Sequence, residues 1–76
     1  PIFSSSTIHD LLGIDAVTLR DWRRHGLLEG YGRRLPDNRP NVWHYSAEDI
    51  VGLYVATRLT SGGMARERAF AAGEAC

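Results

Sequence analysis

The sequence contains no lysine, a single cysteine (Cys76), a single methionine and no long apolar run. One cysteine excludes an internal disulfide framework and a thiolate cluster for zinc. No stretch approaches the roughly 20 apolar residues needed to span a bilayer. The opening Pro1-Ile2-Phe3-Ser4 lacks the basic and apolar regions of a signal peptide, so a cytoplasmic protein with no membrane partner is expected. Net charge is lacking too, with nine basic residues against nine acidic ones. With 76 residues, a chain buries only about 60% of its unfolded surface. It must therefore fold on helix packing, which leaves little room for an enzymatic pocket.

What is present is unevenly spread. All nine basic residues are arginine. Residues 20–44 hold Arg20, Arg23, Arg24, Arg33, Arg34 and Arg39 against Asp21, Glu29 and Asp37, a surplus of three positive charges in the middle of the chain. Arginine presents a planar fork that suits phosphate and guanine edges, although GC-rich coding produces the same bias. The asymmetry favours an anionic partner bound with modest strength. The 43% hydrophobic and 24% charged fractions are those of an ordinary soluble globular domain.

Four segments follow from the patterning. From Ser4 to Leu12, serines offer caps and Ile8, Leu11 and Leu12 fall at helical spacing, until Gly13 breaks the run. Asp15 then caps a second helix that continues to Gly26. Two short helices joined by about three residues are the sequence form of a helix-turn-helix. Between Leu28 and Tyr45, turn formers dominate, and Arg33-Arg34-Leu35 and Val42-Trp43-His44-Tyr45 are expected to pair around a loop at Pro36–Asn41. Ser46, with Asp49 three residues on, opens the longest helix in a weaker form of the capping box. Ile50, Val51, Leu53, Tyr54, Val55 and Leu59 are expected to give that helix a wide apolar stripe as the floor of the core. Ser61-Gly62-Gly63 ends it, and a last helix is expected from Met64 to about Ala72. The fold class is mainly α: a winged helix-turn-helix with a short two-stranded wing, in the order helix-helix-wing-helix-helix. The expected divisions of a single domain over 1–76 are the helix-turn-helix at 4–26, the wing at 29–45, and helices at 46–60 and 64–72.

If Leu19 faces the core, the 100° step of a helix turns Val17, Arg20, Asp21 and Arg24 outward. That face is expected to enter a major groove, unless its charges are only a solvated helix surface. His9, Gly13 and Ile14 are expected at the helix crossing, the turn and its apolar anchor. Core packing rather than base stacking is expected of Trp22, Tyr45 and Tyr54, with Trp43 less determined. His9, His25 and His44 share no metal-ligand spacing, and no serine or cysteine comes with a plausible base and orienting acid. Neither a metal nor a cofactor nor catalysis is expected.

The run Thr18-Leu19-Arg20-Asp21-Trp22-Arg23-Arg24-His25-Gly26-Leu27-Leu28 resembles the T-L-R-Y-Y/W-E-R-x-G-L-L signature of the MerR-type family. Tyr45-Ser46-Ala47-Glu48-Asp49-Ile50 is similar to that family's R-x-Y-S-x-E-D-L, and Leu12-Gly13-Ile14-Asp15 to its L-G-V-S turn. The resemblance implies a bacterial or phage double-stranded DNA binder with a recognition helix at 15–25 and a wing at 30–44 on backbone or minor groove. Base reading then falls to Thr18, Arg20 and Arg24, and phosphate or wing contact to Arg23, Arg33, Arg34, Arg39 and His44. About five phosphate contacts imply a log–log salt slope of about −4 to −5. Several positions depart from the pattern. Asp21 replaces a DNA-facing tyrosine and is expected to pair within its helix, Trp43 and His44 replace arginine in the wing, and His9 replaces alanine. Roles open to this fold are transcription regulation, excision and DNA packaging, with partner proteins from those processes. The chain itself is expected as a dimer or side by side on DNA, either as a fragment of a longer protein or as a complete small factor. A protein-interaction adaptor that keeps the fold without DNA binding is the alternative from another class.

Overall fold

Gly13 sets the first turn of the molecule. In a computed structural model that describes residues 2–34 and 42–75, helix α1 spans Ser5–Leu12 and ends where Gly13 adopts φ 73°. The Gly13 N–H donates to the His9 carbonyl at 2.9 Å, a left-handed cap that a residue with a Cβ adopts only at a cost. Three residues later α2 begins and runs over Ala16–Arg24. Ile8, Ile14 and Leu19 are buried where the two helices meet. His9 is not at this crossing: its side chain is 62% exposed, because its neighbour Ile8 takes the inward position and one helical step rotates His9 to solvent.

The wing consists of β1, Arg33–Arg34, and β2, Trp43–His44. They pair antiparallel with Arg33 opposite His44 and Arg34 opposite Trp43. The loop expected at Pro36–Asn41, including Arg39, lies outside the described residues, as does Cys76. A third piece of backbone joins the ribbon. Phe3 bridges Tyr45, with N–H···O bonds of 2.7 and 2.8 Å in the two directions, so the segment before α1 is anchored to the base of the wing.

Helix α3 covers Ala47–Ser61 and α4 covers Arg66–Glu74. At the start of α3 the capping box is complete: the Ser46 hydroxyl accepts from the Asp49 N–H, and the Asp49 carboxylate accepts from the Ser46 N–H. The same Asp49 oxygen also accepts from the Gly32 N–H at 3.0 Å. One carboxylate thereby fastens the base of the wing to the start of α3.

The buried face of α3 is narrower than its apolar content implies. Gly52, Leu53 and Ala56 are buried, whereas Val51 and Tyr54 are 56% and 52% exposed. Tyr54 is thus not a core residue. The reason is the close approach of α4: Gly52 and Gly73 oppose each other with no room for a Cβ on either, so the contact is made by backbone and small side chains. Tyr31 fills the space beneath, fully buried, with its hydroxyl donating to the Phe70 carbonyl at 2.5 Å. Phe70 in turn receives the edges or faces of Tyr31 and Trp22 in T-shaped contacts at 6.0 and 5.0 Å, a favoured aromatic geometry. Leu28 and Tyr45 complete this core, with Trp22 half-buried against it. Full burial of each such large side chain contributes about 1.5–3 kcal/mol before entropy is counted. No helix among the described residues is long and apolar enough to cross a membrane.

Candidate nucleic-acid interface

Helix α2 is held at its start by Asp15, whose carboxylate accepts from the Thr18 N–H at 2.7 Å. That backbone bond, followed by a bond from the Thr18 hydroxyl, lowers the Asp15 pKa below the ordinary carboxylate value, since hydrogen bonds to the charged form favour it. Leu19 points inward at 4% exposure. The opposite face follows from helical geometry: Val17, Arg20 and Arg24 are exposed and Asp21 is half-exposed.

A cleft of about 560 Å³ runs between α2 and the wing. Arg20, Arg23 and Arg24 line it from the helix, and Trp43 and Tyr45 line it from the wing side. Ser5 of α1 also lines it. Sequence-distant groups therefore share one concave, cationic surface. Arg33 and Arg34 are exposed on β1, the strand hydrogen-bonded to this wall.

The three arginines of the cleft are not equivalent. Arg20 is exposed and carries no partner among the described hydrogen bonds or ion pairs. Arg24 donates to the Asp21 carboxylate at 2.9 Å, the intrahelical partner expected for Asp21. His25 donates from Nδ1 to the Asp21 carbonyl at 2.8 Å, which closes the end of the helix. Arg23 is turned inward: it donates to the Leu28 carbonyl at 2.6 Å and to the Tyr45 hydroxyl at 3.2 Å, and its guanidinium lies 3.5 Å from the centre of the Trp43 ring.

The remaining expected site residues sit as follows. Thr18 is half-buried, with its N–H donating to Asp15. His44 is half-buried, and its Nδ1 is buried without a hydrogen-bond partner, which makes that nitrogen unavailable to a phosphate. Arg39 lies outside the described residues. Sequence reasoning missed Tyr31 as the central core side chain, because a tyrosine between glycines reads as a loop. It also missed the Arg23–Trp43 stack, which joins residues 20 positions apart and leaves no periodic trace.

A helix-turn-helix followed by a two-stranded wing, with arginines of the second helix facing Trp43 of the ribbon across one cleft, defines a winged helix-turn-helix of the DNA-binding class. The model of the MerR HTH family, described as a regulatory protein family, matches residues 3–69, and the chain belongs to that family. No curated protein and no solved structure matches the chain. The MerR HTH family is a family of DNA-binding regulators, and domains of this type bind double-stranded DNA, often as dimers.

Proposed function

We propose that the chain binds double-stranded DNA sequence-specifically, with α2 in the major groove and the wing on the adjacent backbone or minor groove. The observation that carries this reading is the convergence of Arg20, Arg23 and Arg24 with the wing's Trp43 on a single cleft. Arg20, exposed at the middle of α2, is the base-reading side chain, flanked by Thr18 and Arg24. A bidentate arginine–guanine pair discriminates by about 1–3 kcal/mol against the wrong base. Arg33 and Arg34 hold phosphates and fix the register, supplying affinity without sequence, and Arg39 adds a third contact.

One short recognition helix covers one half-site, so tight binding takes two copies on half-sites about one helical turn apart. The experiment is a fluorescence-anisotropy titration of a labelled, pooled random-sequence duplex against the chain over a range of salt concentrations. Three wing phosphate contacts give a log–log slope of about −3. No change in anisotropy at low salt rejects DNA binding and favours the protein-interaction adaptor.

A further inference from the structure

Arg23 is the basic residue of the cleft whose fork is committed to the protein itself. Its three partners come from three places in the chain: the Leu28 carbonyl after α2, the Tyr45 hydroxyl next to the wing and the Trp43 ring in β2. A planar guanidinium can donate in its plane while stacking through its face, which an ammonium cannot do at once. Arg34, paired with Trp43 across the ribbon, also lies within cation–π range of the indole, at 5.6 Å from the ring centre, inside the limit of about 6 Å.

Both positions of the central contact depart from the motifs that the chain otherwise follows. The motif has glutamate where Arg23 stands and arginine where Trp43 stands. In this chain the side chains at these two positions touch, a cation stacked on a ring at the joint between helix and wing.

We infer that Arg23 is a positioning residue: stacked on Trp43 and bonded to Leu28 and Tyr45, it locks the wing to the recognition helix and so places Arg34 on the DNA backbone, rather than binding a phosphate itself. This rests on the DNA-binding reading above. It replaces one expected phosphate contact with an internal strut, and it makes Trp43 a specific part of the interface rather than a neutral wing residue.

The test is a double-mutant cycle on the 76-residue chain, read as the slope of log affinity against log salt with a pooled random-sequence duplex. In the wild type, Arg34→Ala reduces the slope by about 0.9, the loss of one phosphate contact. Arg23→Lys keeps the positive charge and removes the planar fork. If Arg23 is a strut, the lysine variant already lacks the Arg34 contact, and adding Arg34→Ala changes its slope no further. If Arg23 binds phosphate, the lysine variant keeps the wild-type slope and Arg34→Ala still removes about 0.9 from it, which overturns the inference.

Trp43→Ala is the second arm and is expected to reproduce Arg23→Lys, whereas Trp43→Phe, which keeps a ring face, is expected to preserve the Arg34 increment. An Arg34 increment that persists in Trp43→Ala also overturns the inference. In the absence of DNA, the ring-current shift of the Arg23 side-chain resonances reports the stack directly. Its presence in the wild type and loss in Trp43→Ala support the strut even if the duplex does not bind, an outcome that rejects only the DNA-binding reading. Its absence in the wild type rejects the strut whatever the duplex does.

Discussion

Gly52 of α3 and Gly73 of α4 meet backbone to backbone: a Cβ on Gly52 would stand 2.6 Å from the Gly73 carbonyl oxygen and 2.9 Å from the Tyr31 ring. The atoms in the way are a carbonyl and a buried ring, neither of which can swing aside. Gly52→Ala and Gly73→Ala are therefore each expected to force the helices apart and destabilise the fold by about 1–3 kcal/mol. Urea denaturation monitored by circular dichroism measures this. Alanine raises helix propensity at both positions, so a stabilised variant would contradict the packing.

Tyr31→Phe tests the layer beneath. The substitution retains the ring against Phe70 but removes the donor to the Phe70 carbonyl. The lost hydrogen bond is worth about 0.5–1.5 kcal/mol, so the midpoint is expected to fall while DNA affinity at low temperature is unchanged.

Asp49→Ala removes two hydrogen bonds at once, those that the Asp49 carboxylate accepts from the Ser46 and Gly32 N–H groups. Ser46 still caps the helix, and loss of the reciprocal half of the capping box is expected to cost about 1–3 kcal/mol. Because Gly32 lies immediately before β1, the variant is also expected to weaken DNA binding more than an exposed substitution such as Glu48→Ala. Titrations of the two variants against the same duplex make the comparison.

Asp15 gives a pH dependence of defined sign. Its pKa is lowered in the folded chain by the bonds from Thr18. The charged form is thus favoured by folding, and the stabilisation is fully present above the unfolded-state pKa and disappears as pH falls through the lowered folded value. Thermal unfolding of wild type and Asp15→Ala is expected to show a constant gap near neutral pH that closes only in strong acid. A gap that widens on acidification would contradict the cap.

Much of the fold was legible because it rests on local chemistry. Gly13 between two short apolar-periodic runs, Asp15 before the second, and Ser46 with Asp49 before the third each mark a boundary that the structure reproduces. The outward face of α2 followed from Leu19 alone. Less visible were properties set by distant parts of the chain. Val51 and Tyr54 look like core residues on hydrophobicity, but α4 reaches α3 through glycines and buries only a narrow strip. Arg23 looks like any cationic surface residue until β2 brings Trp43 beneath it. His9 follows the same rule on a smaller scale, since one helical step separates it from the buried Ile8.

Reading of base edges by Arg20 is the claim on which the functional account turns. The most direct measurement selects a preferred duplex from a random library and compares Arg20→Ala with wild type on that duplex and on the random pool. The expected result is a loss of about 1–3 kcal/mol on the selected site, with little change on the pool. Equal losses on both would mean that Arg20 contributes charge without sequence, and would contradict the placement of α2 as the reading helix.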